Sequence, residues 1–257
     1  MLEKFRAAKQ TEIDELKRLR DAGHVHAAYA GSRPGFGTAL TESGSSGIIA
    51  EYKRASPSKG DINLGVPPRQ TCEGYARAGA CALSILTESR YFKGDLSFLA
   101  EVAPIGLPLL RKDFIVDPLQ VEATAATPAS AILLIVRMFA DQDDLAYLHG
   151  QCISLRLEPV VEVFDERDLD RAKELGARII QVNNRDLDTL VTDLNRCLDM
   201  VRRKEEGEIW IGASGISTPE QVRELRAAGL DALLIGTALM QNENPGRGLA
   251  ELAGGRS

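Results

Sequence analysis

The chain has 257 residues, 44% of them hydrophobic, enough to bury one large core. Its 31 Lys and Arg against 37 Asp and Glu give a formal net charge of -6 with the two signs interspersed, which excludes the clustered cationic face that a nucleic-acid backbone requires. The charged start, Met1-Leu2-Glu3-Lys4-Phe5-Arg6, lacks the apolar stretch of a signal peptide, and the longest apolar run, Ala131 to Val136, is too short to cross a bilayer; a cytoplasmic protein with no membrane partner is expected.

From Leu2 to about Ala22 the apolar residues Leu2, Phe5, Ile13, Leu16 and Leu19 fall at helical spacing among charged ones, predicting an amphipathic helix that ends near Gly23. The stretch from Gly31 to Gly47, rich in Gly, Ser and Pro, reads as a loop with a short helix at Phe36-Gly-Thr-Ala-Leu-Thr. Apolar, β-branched runs then recur near 48–53, 81–87, 107–112, 131–136, 158–163, 178–183, 208–212 and 231–236. Most are followed by amphipathic segments such as Asp165 to Leu175 and Thr218 to Ala228. Ala78-Gly79-Ala80, Leu175-Gly176-Ala177 and Ala228-Gly229-Leu230 each put a glycine where a helix must hand over to the next strand. Eight nearly all-apolar strands with helical crossovers predict an α/β fold, a (βα)8 TIM barrel with an N-terminal extra helix. The expected organisation is a single barrel domain over residues 1–257, with residues 1–47 as a helix and loop before the first barrel strand.

Cys72, Cys81, Cys152 and Cys197 are scattered and form no CxxC pair, so neither a zinc site nor a disulfide framework is expected. His24 and His26 have no third imidazole close by in sequence and read as part of a solvated loop.

Three strand-like runs end in charge: Ile48-Ile49-Ala50-Glu51-Tyr52-Lys53, Leu109-Leu110-Arg111-Lys112-Asp113 and Pro159-Val160-Val161-Glu162-Val163. Ionised groups in a low-dielectric interior cost several kcal/mol unless compensated, so their recurrence at strand ends predicts a shared polar pocket, at the end where such barrels carry their chemistry. Lys53 and Ser56, in Lys53-Arg-Ala-Ser-Pro-Ser-Lys-Gly60, suit an anionic substrate, with a solvated turn as the competing reading. Ser214-Gly215-Ile216 and Ile235-Gly236-Thr237 place glycines after the last two strands, where bare backbone N–H groups meet a phosphate in many such barrels; ordinary turn glycines are the alternative. Lys112 is a general-acid candidate unless it turns outward to pair with Asp113, and Glu162 is the natural general base. Asn183 and Arg185 offer amide and guanidinium donors for a hydroxyl or carboxylate.

In combination and order these segments resemble the indole-3-glycerol phosphate synthase family. The resemblance is carried by Ile49-Ala-Glu-Tyr-Lys-Arg-Ala-Ser-Pro-Ser-Lys-Gly60, Leu83-Ser-Ile-Leu-Thr-Glu88 with Tyr91-Phe92-Lys-Gly94, Leu110-Arg-Lys-Asp-Phe-Ile115 with Gln120, Leu133-Leu-Ile135, Val161-Glu-Val163, Asn183-Asn-Arg-Asp-Leu187, Ser214-Gly-Ile216 and Leu234-Ile-Gly-Thr-Ala-Leu-Met240. It implies closure of an indole ring from 1-(2-carboxyphenylamino)-1-deoxyribulose 5-phosphate, with loss of carbon dioxide and water and with no metal or organic cofactor. Lys112 then resembles the acid that protonates the substrate ketone, and Lys53, expected to pair with Glu51, the lysine that assists dehydration. Glu162 resembles the base or charge stabiliser, and Asn183 an orienting donor. The resemblance also implies phosphate at Gly215, Gly236 and Thr237 with Lys53 and Ser56 nearby. The aromatic ring and its carboxylate are expected among Phe92, Phe114, Leu133, Leu187, Ile235, Pro57, Ser214 and Arg185. A small phosphorylated substrate is the only expected partner, and a monomer is expected.

Two positions depart from the family pattern. Ala213 stands where a glutamate normally ends strand seven, so activity is expected to be weaker or to rest more on Glu51 and Glu162. Pro128-Ala-Ser130 replaces Gly-Ala-Asp before strand four, away from the chemistry. The alternatives are a phosphate-binding barrel with weakened or lost turnover and a related sugar-phosphate isomerase.

Overall fold

Each of the eight apolar runs forms a strand: β1 Ile48–Tyr52, β2 Ala82–Leu86, β3 Leu109–Lys112, β4 Ala131–Ile135, β5 Glu158–Val163, β6 Ile179–Asn183, β7 Ile209–Ala213 and β8 Ala232–Ile235. The structure, a computed structural model, describes residues 1–24, 26–42, 44–186 and 189–254. Each of these eight strands pairs in parallel with the next, and β8 returns to β1 through Ile48↔Leu233 and Ala50↔Ile235, which closes the barrel. Strands β1, β2, β4, β6, β7 and β8 are buried along their whole length, as a parallel sheet covered by helices on its outer face requires.

The crossovers carry helices α3 Pro68–Arg77, α4 Phe98–Val102, α5 Pro118–Ala125, α6 Gln142–Ser154, α7 Glu166–Glu174, α8 Asn195–Met200 and α9 Pro219–Ala227; α10 Thr237–Met240 and α11 Pro245–Leu252 follow the last strand, and α1 (Leu2–Asp21) and α2 (Phe36–Thr41) precede the barrel. Gly79, Gly176 and Gly229 stand at φ 92, 68 and 109, the left-handed region open to glycine at low cost. Just after each, the N–H of Ala80, Ala177 and Leu230 donates back to Tyr75, Ala172 and Leu225, closing the helix before the chain enters the next strand. Helix α5 begins with a capping box: the Asp117 carboxylate accepts from the Leu119 N–H, and the Gln120 side-chain amide oxygen accepts from the Asp117 N–H. Gln120 also donates to the Phe114 carbonyl at 3.2 Å, so it shapes the loop after β3.

Helix α2 lies at the amino-terminal mouth of the barrel. Glu158, the first residue of β5, accepts from the N–H groups of Phe36 and Gly37 at 2.5 and 3.0 Å, where a carboxylate offsets the unsatisfied donors of a helix start. A side chain at Gly37 would press on Ile179 and Ile209, so glycine lets the helix sit close to the strand ends. No helix among the described residues is long and apolar enough to cross a membrane.

Candidate active site

Alternation along a strand sends every second side chain to the same face. On β1 this carries Glu51 and, one step past the strand, Lys53 to the carboxyl-terminal mouth, where Lys53 Nζ and Glu51 Oε1 lie 2.8 Å apart. Ser84 on β2 donates to the other carboxylate oxygen at 3.4 Å. A side chain at Gly236 would collide with the Glu51 carboxylate, so glycine there is what brings the β8 turn against this ion pair. On β3 the same rule separates Lys112 from its neighbours: it faces the cavity and approaches Glu162 of β5 at 3.5 Å instead of pairing with Asp113.

Glu162 is only 3% exposed, and an isolated charge so deep would be costly. Both its oxygens are provided for: Gln181 Nε2 donates to Oε2 at 2.5 Å and Asn183 Nδ2 to Oε1 at 3.1 Å, both from β6. The Asn183 amide oxygen accepts from the Arg185 N–H at 3.0 Å, which fixes which end of that amide meets the carboxylate. Asn183, for which the resemblance implies an orienting donor, donates to Glu162 and lines the cavity.

Glu51, Lys53, Lys112, Glu162 and Asn183 line one cavity of about 360 Å³ at the strand ends. Its walls also include Phe92, Phe114, Leu133 and Ile235, as well as Ser56, Pro57, Arg185, Ser214, Gly215, Gly236 and Thr237, so the expected ring and phosphate residues converge on the same space. Leu187 lies outside the described residues. Arg185 faces the cavity, but one of its guanidinium nitrogens donates to the Leu190 carbonyl at 2.9 Å, so part of its donor capacity shapes its own loop. Ser214 and Gly215 take φ 71 and 80 in succession, and conformations of this kind for a non-glycine residue concentrate at functional turns. Ala213 is buried beside Asn183, its register partner on β6. Among the described residues, no group of three or more His, Cys, Asp and Glu is arranged to hold a metal ion.

Helix α1 contributes a wall that its periodicity had assigned only to packing. Phe5 reaches the cavity and stacks on Phe114 with ring centroids 4.1 Å apart and planes 11° apart, while Phe92 lies 6.0 Å from Phe114. Behind these rings α1 is tied down by buried charge. Lys9 reaches Asp113 at 2.8 Å and also pairs with Glu12, and Arg111 reaches both Asp113 and Glu12 at 3.0 Å. Thr87 donates to Asp113 at 2.5 Å. Burial alone would push the Asp113 carboxyl up, but the charges of Arg111 and Lys9, with hydrogen bonds from Lys9 and Thr87, hold it down at about 2. Sequence reading missed this cluster because its members are scattered through the chain. The visible signal was an arginine inside an apolar strand, an ion that needs partners from another layer.

On the far side of Glu162 a small recess is lined by Arg137, Phe164, Asp168 and Arg185. Arg137 and Arg196 stack on the Phe164 ring at 4.0 and 3.6 Å from its centroid. Burial pushes the Asp168 carboxyl up despite donation from the Phe164 N–H and the Arg137 guanidinium.

The sequence profile of the family described as indole-3-glycerol phosphate synthase matches residues 2–252. An indole-3-glycerol phosphate synthase of Aquifex aeolicus is 41% identical over 260 aligned residues, covering 98% of each chain. The enzyme of that name from Exiguobacterium sibiricum is 43% identical over 77% of each. Among solved structures, a 3-hexulose-6-phosphate synthase superposes with a TM-score of 0.61 at 17% identity, over 80% of this chain and 98% of its own, a likeness of fold alone.

Proposed function

We infer how this chain, which belongs to the indole-3-glycerol phosphate synthase family, uses its site residues in that reaction. It is a carboxy-lyase of tryptophan biosynthesis, forming indole-3-glycerol phosphate from 1-(2-carboxyphenylamino)-1-deoxyribulose 5-phosphate with release of carbon dioxide and water. The ring carbon that carries the carboxylate bonds to the ketone carbon, the carbon dioxide leaves with its electron pair returned to the ring, and the new hydroxyl departs as water with a proton from the carbon beside nitrogen.

The observation that carries our assignment of roles is the pair of ion pairs, Lys112 with Glu162 and Lys53 with Glu51, lining one cavity. In our reading Lys112 gives its proton to the ketone oxygen as the ring attacks, so positive charge already stands where negative charge grows. Glu162 faces the iminium that forms on nitrogen and then takes the proton lost in dehydration. Lys53, held by Glu51, protonates the departing hydroxyl. The stacked rings of Phe5 and Phe114 form the apolar wall against which the substrate's aromatic ring binds. Phosphate is assigned to the backbone turns at Gly215 and Gly236 with Thr237, and Ser56 close by. We further propose a cytoplasmic monomer with one barrel domain over residues 1–257.

The test follows indole-3-glycerol phosphate by its absorbance on mixing enzyme with the anthranilate-derived ribulose phosphate. Turnover is expected from the unaltered chain, and Lys112→Ala is expected to lower kcat about 10²-fold or more with substrate still bound. An unchanged kcat would take Lys112 out of the mechanism.

A further inference from the structure

Gln181 lies wholly buried on β6, beneath the cavity, and does not line it. Its amide nitrogen donates to Glu162 Oε2 at 2.5 Å, and its amide oxygen is buried with no hydrogen-bond partner. A native interior seldom leaves a carbonyl oxygen unsatisfied, so this atom calls for an explanation. A glutamine side chain has nearly the same shape when its amide is turned end for end, and the turn exchanges donor for acceptor. With Glu162 ionised the turn is blocked, because it would set a carbonyl oxygen against a carboxylate oxygen. With Glu162 protonated the carboxyl gains an O–H that needs an acceptor. Asn183 cannot turn to supply one without giving up the hydrogen bond from the Arg185 N–H to its oxygen. Gln181 can, since its oxygen has no bond to lose.

We propose that Gln181 is a positioning residue that holds Glu162 through its nitrogen while the carboxylate is ionised, and turns to hold it through its oxygen once Glu162 has taken a proton. This rests on the role assigned above to Glu162. Other charged groups around that carboxylate are Lys112 from β3, the paired Glu51 and Lys53 from β1 across the cavity, Arg185 after β6, and Arg137 and Asp168 on the recess side. Of these, Lys112 is the one in direct contact, and it favours the ionised form as Gln181 does.

Gln181→Met keeps the length of the side chain and removes both polar atoms. Its kcat is expected to fall roughly ten- to hundredfold, the range set by one charge-assisted hydrogen bond, with KM unchanged. The acid limb of its kcat profile is expected to move to higher pH, because the ionised carboxylate loses a donor. A Gln181→Met enzyme with the native kcat and the native acid limb would overturn the proposal, whereas a side chain that only packs would change thermal stability and leave that limb in place. A second measurement needs no altered core. In 15N-labelled enzyme the Gln181 side-chain amide resonance should titrate with the midpoint of the acid limb, and should stay still in Glu162→Gln. If that resonance does not move with pH while Glu162→Gln is inactive, the proposal fails alone; if Glu162→Gln keeps full kcat, the reading beneath it fails as well.

Discussion

Asp113→Asn is a severe test of how charge is handled behind the site. The Asp113 side chain is fully buried between Lys9 and Arg111, whose side chains are 4% and 1% exposed. Asparagine keeps the shape and deletes the charge, leaving two buried cations with Glu12, itself a third exposed, as their remaining carboxylate. Removing one partner from a buried ion pair typically costs 3–5 kcal/mol, and because Glu12 stays we expect about 3 kcal/mol at pH 7, a large part of the roughly 5–15 kcal/mol that holds a domain folded. Urea unfolding of the two proteins measures it. The pH dependence supplies an independent check. The folded-state value of Asp113, about 2, lies below its ordinary 3.8, so this stabilisation is complete above pH 3.8 and is lost as pH falls towards 2. At about 1.4 kcal/mol per pH unit the difference amounts to roughly 2 kcal/mol, which the native protein should lose on acidification and Asp113→Asn should not. In the double variant with Lys9→Met, the two losses should fall short of adding by about 1–3 kcal/mol. A loss under 1 kcal/mol at pH 7, or simple additivity, would refute the claim that this cluster anchors α1.

Phe5→Ala should raise KM about tenfold while kcat stays within about threefold, because the ring forms part of the substrate wall and takes no part in proton transfer. Steady-state kinetics decide it, and an unchanged KM would return Phe5 to ordinary packing. Ala213→Glu should lower kcat/KM, because two of the three lysines lining the cavity are already committed, Lys112 to Glu162 and Lys53 to Glu51, and a third carboxylate beside Asn183 competes with these pairs. Higher activity in that variant would mean that a vacant cationic position faces residue 213.

The barrel was legible because its strands carry nearly continuous apolar runs and its helices end in recurring glycines, signals that need no knowledge of distant contacts. The first strand run is expected to reach residue 53, and β1 stops at Tyr52, its last residue paired with the second strand. The strand-end acids and lysines were legible for a related reason: a charge that closes an apolar run has few places to go other than a shared pocket. What stayed hidden depends on pairings between layers. Phe5 and Lys9 look like ordinary members of an amphipathic helix, and only the docking of α1 onto the loop after β3 makes one a cavity wall and the other a buried ion. Gln181, the only polar side chain within the run Ile179 to Val182, could have been flagged by the rule that buried polar groups need partners. Its partner, however, is on another strand.

The end of β3 shows why stability and chemistry are joined in this barrel. Three consecutive charged residues divide between two environments: Arg111 and Asp113 turn to the buried cluster with Lys9 and Thr87, and Lys112 turns to the cavity and Glu162. The backbone that aims Lys112 is therefore clamped on both sides by residues held in buried ion pairs. Asp113 also accepts from the Phe114 N–H at 2.8 Å, which ties the ring wall to the same clamp. A loosened cluster should then displace the acid and the wall together, so Asp113→Asn, beyond its loss of stability, should lower kcat and raise KM at once. Lys112→Ala should touch kcat chiefly, and Phe5→Ala should touch KM chiefly. If Asp113→Asn instead unfolds more easily while both kinetic constants stay native, the clamp serves the fold alone and Lys112 is aimed by its pairing with Glu162.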